Sequence, residues 1–259
     1  MLSHREAGTR WFELRFAISL LVLMYHRARA EWHGNAPEML DAHFACIARS
    51  HRCVLPGEPL AADRLNVCLT FDDGYFDFYA IVFPLLKKHG LRALLAVPTT
   101  VVREHTAVPS AARLQAPTDV NHAKPNDGGF CTWPELREMA ASGRVTIAAH
   151  GFTHRRLDGA DVDLHAEIVV PQTLLSARLD QPVDSFVFPY GRFSPAALRR
   201  VRQTYRHAFR IGGADNGGWD GRVLYRIDAD HMTAPGEFFT RSRRAVYRAR
   251  RFWNRVRGR

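Results

Sequence analysis

Long apolar runs are missing from this 259-residue chain, cysteines are few, and the last nineteen positions hold no acid. The apolar run at residues 16–25 (FAISLLVLMY) is too short to cross a bilayer as a helix. Four cysteines, Cys46, Cys53, Cys68 and Cys131, form no CxxC pair. A domain of this size needs no staples, so they read as buried free thiols of a reducing compartment rather than as a disulfide framework. No zinc-finger, helix-turn-helix or RNA-binding signature accompanies the basic charge, and no nucleic-acid partner is expected. With 46% hydrophobic and 24% charged residues, the composition is that of one large globular domain with a substantial core.

The chain is organised around residues 67–75 (VCLTFDDGY). A short apolar run with β-branched members reads as a buried strand, and it ends in two adjacent carboxylates, Asp72 and Asp73, followed by Gly74, where a tight turn is easy. Taken alone, a solvated Asp-Asp-Gly turn would account for this. A second cluster changes that reading. Residues 145–149 (VTIAA) form another short apolar run that leads directly into His150-Gly151-Phe152-Thr153-His154. Two histidines four apart past a strand end can face one point, and imidazole is a common ligand for a borderline divalent ion. One carboxylate and two imidazoles give three protein ligands with positions left open, as a catalytic metal site requires. The other aspartate is then free for proton transfer.

TFDDGY, HGFTH and the later FPYGR, in this order and spacing, resemble the polysaccharide deacetylase family, also called the NodB-homology or carbohydrate esterase 4 family. The resemblance covers residues 23–228, and LMYHR at 23–27 is similar to the branch containing the poly-N-acetylglucosamine deacetylases. It implies a distorted (β/α) barrel of about seven parallel strands. It also implies that Asp73, His150 and His154 hold a divalent metal, with zinc the expected ion, while Asp72 takes a proton from the attacking water. The backbone N–H at Tyr190 would supply an oxyanion donor. His231, in RIDADH, is the candidate general acid, with an ordinary surface histidine as the alternative. The family often has an arginine two residues before the Pro-Tyr motif; Val187 stands there, and Arg226 is the candidate substitute for steadying Asp72. Gly151 stands where many members have Ser or Thr.

Along the rest of the chain, strand and helix signals alternate. Arg5, Arg10 and Arg15 precede the run at 16–25 and Ala28-Arg29-Ala30 follows it, the outline of an export signal. Glu6 and Glu13 interrupt its basic segment, and cleavage after Ala30 would discard LMYHR, so the run reads as the first buried strand. Helical spacing predicts helices over 37–50, 79–89, 132–143, 161–179 (divided at Pro171) and 194–205, with strands over 91–97, 185–188, 207–211 and 223–227. Residues 104–129 read as a long loop whose histidines, His105 and His122, lack partner spacing and are taken as solvated. Strand, helix, strand in succession argues for a parallel sheet with functional groups at its carboxyl strand ends. Periodicity alone leaves a closed barrel and an open doubly wound sheet unseparated.

The catalytic body is expected over 1–240 and a basic tail over 241–259. Nine of the 36 basic residues fall in the tail, leaving 27 against 26 acids elsewhere. Ala245, Ala249, Phe252 and Val256 recur at helical spacing, widened by Val246 and Trp253. Such a basic amphipathic helix suits an anionic membrane surface, with packing of its apolar edge on the barrel as the competing reading. With these features, the resemblance implies a metal-dependent hydrolase that removes N-acetyl groups from sugars of a polysaccharide or lipid-linked glycan precursor. The expected location is cytoplasmic at the inner membrane face, with export as the alternative. O-deacetylation or deformylation of a lipid-linked sugar would use the same residues, and a catalytically silent carbohydrate-binding relic is the rival outside enzymes.

Overall fold

The computed structural model describes residues 19–30, 34–116, 119–120 and 128–257. The expectations for residues 1–18, including the first part of the 16–25 strand, and for Glu31 and His122 lie outside the described residues. The strands are β1 (Leu20–Tyr25), β2 (Arg52–Cys53), β3 (Asn66–Phe71), β4 (Ala93–Val97), β5 (Val145–Ala149), β6 (Ser185–Val187), β7 (His207–Ile211) and β8 (Leu224–Asp228). The helices are α1 (Pro37–Ser50), α2 (Phe83–His89), α3 (Ser110–Gln115), α4 (Trp133–Ala141), α5 (Val170–Leu179), α6 (Pro195–Thr204) and α7 (Arg241–Val256). Every strand pairing is parallel.

Seven of the strands close a ring in the order β1-β3-β4-β5-β6-β7-β8. β1 and β3 pair along their full length, Leu20 on Asn66 through Tyr25 on Phe71, and β8 completes the circle through Leu23 on Ile227 and Met24 on Asp228. The two-residue β2 pairs only with Asn66 and Val67, leaving the rest of β3 to β4. Closure settles the question that periodicity left open, and it leaves the barrel strands no free edge.

Side chains alternate across each strand. Leu20 and Val22 of β1, Cys68 of β3, Leu94 and Ala96 of β4, Ala148 of β5, Val187 of β6, Phe209 of β7 and Leu224 of β8 fill the barrel interior as one cluster. Their neighbours, among them Leu21, Leu23, Val67, Leu69, Leu95, Ile147 and Phe186, face outward to the helices as a second cluster. Strands covered on both faces read as continuous apolar runs, which is why β1 and β3 lack polar alternation. Continued toward the carboxyl ends, the same parity aims Thr70, Asp72, His150 and Arg226 inward.

The helix signals hold with local refinements. Thr132 and Glu135 form a reciprocal capping box at α4, the Thr132 N–H reaching Glu135 Oε2 at 2.7 Å. Pro171 divides its segment, with one π turn at His165–Val169 before α5. The long loop contains α3, absent from the sequence reading, and its base is held by Arg113, which donates to the carbonyls of Gly128 and Phe130 and to Glu135. His105 is exposed. The four cysteines are free thiols, but only Cys68 and Cys131 are buried as expected; Cys46, on α1, and Cys53, on the short β2, are half-buried. Between β7 and β8 no crossover helix intervenes, and α7 packs over that Gly-rich connection instead. It does not dock by the apolar edge, as the competing reading had it: Tyr247 is buried, while Val246, Phe252, Trp253 and Val256 are exposed.

Candidate active site

At the carboxyl end of the barrel, Asp73, His150 and His154 bring one carboxylate oxygen and two ring nitrogens within 4.8 Å of one another, all three residues buried. His150 caps β5; its N–H donates to the Val97 carbonyl at 3.1 Å. Its Nδ1 lies 2.8 Å from the Val187 carbonyl, which can only accept, so Nδ1 carries the proton and Nε2 faces the site as a lone pair. Strand parity would send Asp73 toward the helices. A left-handed φ of 71° instead redirects it, and His154 (58°) and Tyr190 (57°) share that conformation. Five non-glycine residues have positive φ among those described, and three of them are at this site, where strained backbone is held by its surroundings.

A buried carboxylate organises the His150–His154 turn. Glu167 accepts from the N–H groups of Phe152 (2.9 Å) and Thr153 (3.1 Å) and from Thr153 Oγ1 (2.5 Å). Gly151 has φ 78°, and a Cβ there would stand 3.1 Å from Glu167 Oε2. This accounts for glycine at a position where the resemblance has Ser or Thr: the Glu167 bonds to the loop take up the space. Glu167 was missed from sequence because it looks like one acid of an ordinary charged helix face.

Asp73 Oδ1 is buried without a hydrogen-bond partner, 3.3 Å from His154 Nε2 and 3.6 Å from His150 Nε2. Burial pushes both imidazoles down to about 4, so both are neutral donors at physiological pH. Two neutral imidazoles beside one carboxylate with an unsatisfied oxygen fit a divalent ion.

Asp72 has a different environment. Arg226 donates from Nη1 to Oδ1 at 2.6 Å and from Nη2 to Oδ2 at 2.8 Å, and both residues are nearly inaccessible. Burial alone would raise this carboxyl, but Arg226, with His150 and His26, outweighs it and holds Asp72 well below the usual carboxylate range. Burial raises Asp73, on the other hand, against the pull of His150 and His26. The two adjacent acids are thus set apart, the pattern expected when neighbouring carboxylates have different roles.

Two imidazoles lie 3.9 Å from Asp72 Oδ2, that of His150 and that of His26, in the LMYHR motif just past β1; His231 is not among them. His26 Nε2 is 3.9 Å from Asp72 Oδ2, and Nδ1 is 2.5 Å from Asp230 Oδ2. Burial opposes the charged ring, yet the Asp230 hydrogen bond and the Asp72 charge raise it to about 9. His231 is exposed, with φ 55° and its N–H on the Gly34 carbonyl; its neighbour Asp230 is the group turned toward the site. A sequence signal for His26 existed in the motif itself, but its Asp230 partner lies 204 positions away. Tyr190, in the turn Pro189–Gly191, is 45% exposed with its ring 4.9 Å from that of His154, at the rim of an open cleft lined by Thr153, Arg155, Arg156 and Asp158.

The family model described as polysaccharide deacetylase matches residues 61–208. A Bacillus subtilis (strain 168) protein classed among polysaccharide deacetylases, YxkH, is 20% identical over 205 residues, 75% of this chain and 64% of its own. The poly-beta-1,6-N-acetyl-D-glucosamine N-deacetylase of Escherichia coli (strain K12) is 34% identical over 111 residues, 41% of this chain but 14% of its own. The chain therefore spans less than two thirds of each of these relatives. The Streptococcus pyogenes deacetylase PplD, solved with acetate, shares the fold at a TM-score of 0.69 and 21% identity, covering 86% of this chain and 97% of PplD. The match takes in β3 with its aspartate pair, the His150–His154 turn and the Pro-Tyr-Gly turn, so this chain belongs to the polysaccharide deacetylase family.

Proposed function

We propose that this chain hydrolyses the N-acetyl groups of N-acetylated sugars in a polysaccharide or lipid-linked glycan precursor, with zinc held by Asp73, His150 and His154. The observation that carries this reading is the division of labour between Asp72 and Asp73. A binding relic has no use for a second buried carboxylate held ionised by a bidentate arginine. The family match and the E. coli relative's name support deacetylation of an acetylated sugar.

The divalent ion would polarise the acetamide carbonyl and acidify water. Asp72, ionised at any working pH, accepts the proton of the attacking water, and Arg226 fixes the orientation of its oxygens. The Tyr190 N–H, presented by a strained turn, serves the developing oxyanion. His26, protonated at neutral pH and steered by Asp230, donates to the departing amine. We assign the acid role to His26 in place of His231 because His26 lies 3.9 Å from Asp72 and, unlike His150 at the same distance, is not among the proposed metal ligands, whereas His231 is exposed.

We also place the protein in the cytoplasm, at the inner face of the membrane. Four unpaired thiols and the arginine-rich α7 support this. An amino terminus at Glu31 in protein recovered from its host would instead mean export.

The decisive assay measures acetate release from N-acetylglucosamine oligomers and from a lipid-linked N-acetyl sugar, with and without chelator. Turnover that chelation abolishes and zinc restores is the expected result. Release of formate, or of acetate only from O-acetyl esters, would redirect the assignment to the corresponding rival chemistry.

A further inference from the structure

We infer that α7 is a docking face for an anionic lipid surface, beside the mouth of the barrel. The inference is independent of the reaction proposed above. The helix is divided lengthwise into faces that the sequence defines and the packing orients. Toward the barrel it turns Tyr247, which is buried, Arg251, whose Nε is 3.4 Å from Asp215 Oδ1, and Asn254, which donates to the Gly212 carbonyl at 3.2 Å. On the opposite side stand Ala245, Val246, Ala249, Phe252, Trp253 and Val256, all exposed, with Phe252 at 62%, Trp253 at 56% and Val256 at 62%.

Two rows of arginine border that apolar stripe. Arg241, Arg248 and Arg255 recur at seven-residue spacing on one side, and Arg243, Arg250 and Arg257 on the other, all exposed. Seven residues fall almost two full turns apart, so each row runs along the helix as an edge. An apolar stripe between two cationic edges is the section of a helix lying in a bilayer interface: aromatic side chains enter the acyl boundary while arginines stay with the headgroups. The stripe does not suit a second copy of the helix, because two such faces would align arginines with arginines and the helix carries no acid to offset them. Nucleic acid would engage the arginine rows but leave Phe252, Trp253 and Val256 in water.

Placement adds to the argument. Ile211, Gly212 and Asp228, at the carboxyl ends of β7 and β8, share a cavity with Trp253, Asn254 and Arg257. The carboxyl half of α7 therefore lies level with the strand ends that carry the site. A bilayer against the outer face of α7 would run beside the active-site mouth rather than across the far end of the barrel.

The test uses the full chain and co-sedimentation with vesicles of phosphatidylglycerol and phosphatidylcholine, compared with phosphatidylcholine alone. We expect binding to the anionic vesicles that falls at least tenfold on the neutral ones. It should fall as far in the Phe252→Ser/Trp253→Ser variant, and weaken in Arg248→Gln/Arg255→Gln. Both variants should keep the wild-type melting temperature and the wild-type rate on a short soluble substrate, since all four altered side chains are exposed. Undiminished vesicle binding by the serine variant would overturn the proposal. So would tighter binding to duplex DNA than to vesicles, or a dimer in sedimentation that the serine pair dissociates.

Discussion

Arg226 grips both carboxylate oxygens of Asp72, at 2.6 and 2.8 Å, inside a barrel where neither side chain meets solvent. The pair closes the barrel chemically as well as sterically: β3 and β8 are separated by β1, yet the guanidinium spans to the carboxylate and also lies 3.3 Å from Thr70 Oγ1. Breaking a buried pair leaves one charge uncompensated, at a typical cost of about 3–5 kcal/mol. Arg226→Met should therefore lower stability by that order and raise the Asp72 carboxyl toward neutrality. A denaturant midpoint unchanged by the substitution would contradict the pairing.

Asp72→Asn keeps shape and removes proton acceptance. Turnover should fall by about two to four orders of magnitude with metal still bound. The check is metal content by emission spectroscopy alongside acetate release; near-wild-type turnover would remove Asp72 from the mechanism.

For the ligand set the expected pattern is reversed. Asp73→Ala and His154→Ala each remove one of three protein ligands and should give folded, metal-poor, inactive protein. Glu167→Ala touches no ligand but frees the turn between His150 and His154, and metal affinity should drop by about 10–100-fold. Equilibrium dialysis against zinc distinguishes the three; wild-type affinity in Glu167→Ala would reduce that carboxylate to a loop fastener.

The choice between the two histidines is made by parallel substitution. His26→Ala should lower kcat by about two to four orders of magnitude, and Asp230→Asn should shift the alkaline limb of the pH profile downward, because the carboxylate that keeps His26 protonated is lost. His231→Ala should leave both unchanged. A large kcat loss in His231→Ala with none in His26→Ala would restore the assignment made from sequence.

A last prediction concerns acid stability. His43 is buried, its Nδ1 facing the Pro235 carbonyl and its Nε2 2.7 Å from the Tyr25 hydroxyl. A carbonyl only accepts, so Nδ1 carries the proton and Nε2 accepts from Tyr25; charging the ring would force that second bond to reverse, with Nε2 donating to the Tyr25 oxygen, in a site without solvent. Burial pushes His43 down to about 4, against the favourable pull of the Pro235 carbonyl. A depressed folded value means that this contribution is complete above the unfolded value near 6.5 and is lost as pH falls toward 4. The loss is on the order of 3 kcal/mol. Chemical denaturation at pH 7, 5.5 and 4.5 should show a shallower acid slope in His43→Gln; parallel slopes would exclude His43 as a source.

Much of this protein is written locally. Apolar runs of five or six residues became strands because both faces of a parallel barrel strand are covered, and Pro, Ser and Thr at helix starts marked α1, α4 and α6 within a residue or two. The aspartate pair and the two histidines were legible because each cluster lies within a few residues of one strand end. What the sequence did not determine is what depends on contacts across the ring. The helical stripe of α7 was visible, but only packing decided that Tyr247 and Asn254 face the barrel and the apolar stripe faces out, since amphipathicity defines the faces and not which neighbour each meets. His26 reaches Asp230 and Asp72 only because β1 is flanked by β3 and β8 in the closed sheet, and no local period records a neighbour that distant. The chemistry of each strand end was in the sequence; which strand ends share one site was decided by closure of the barrel.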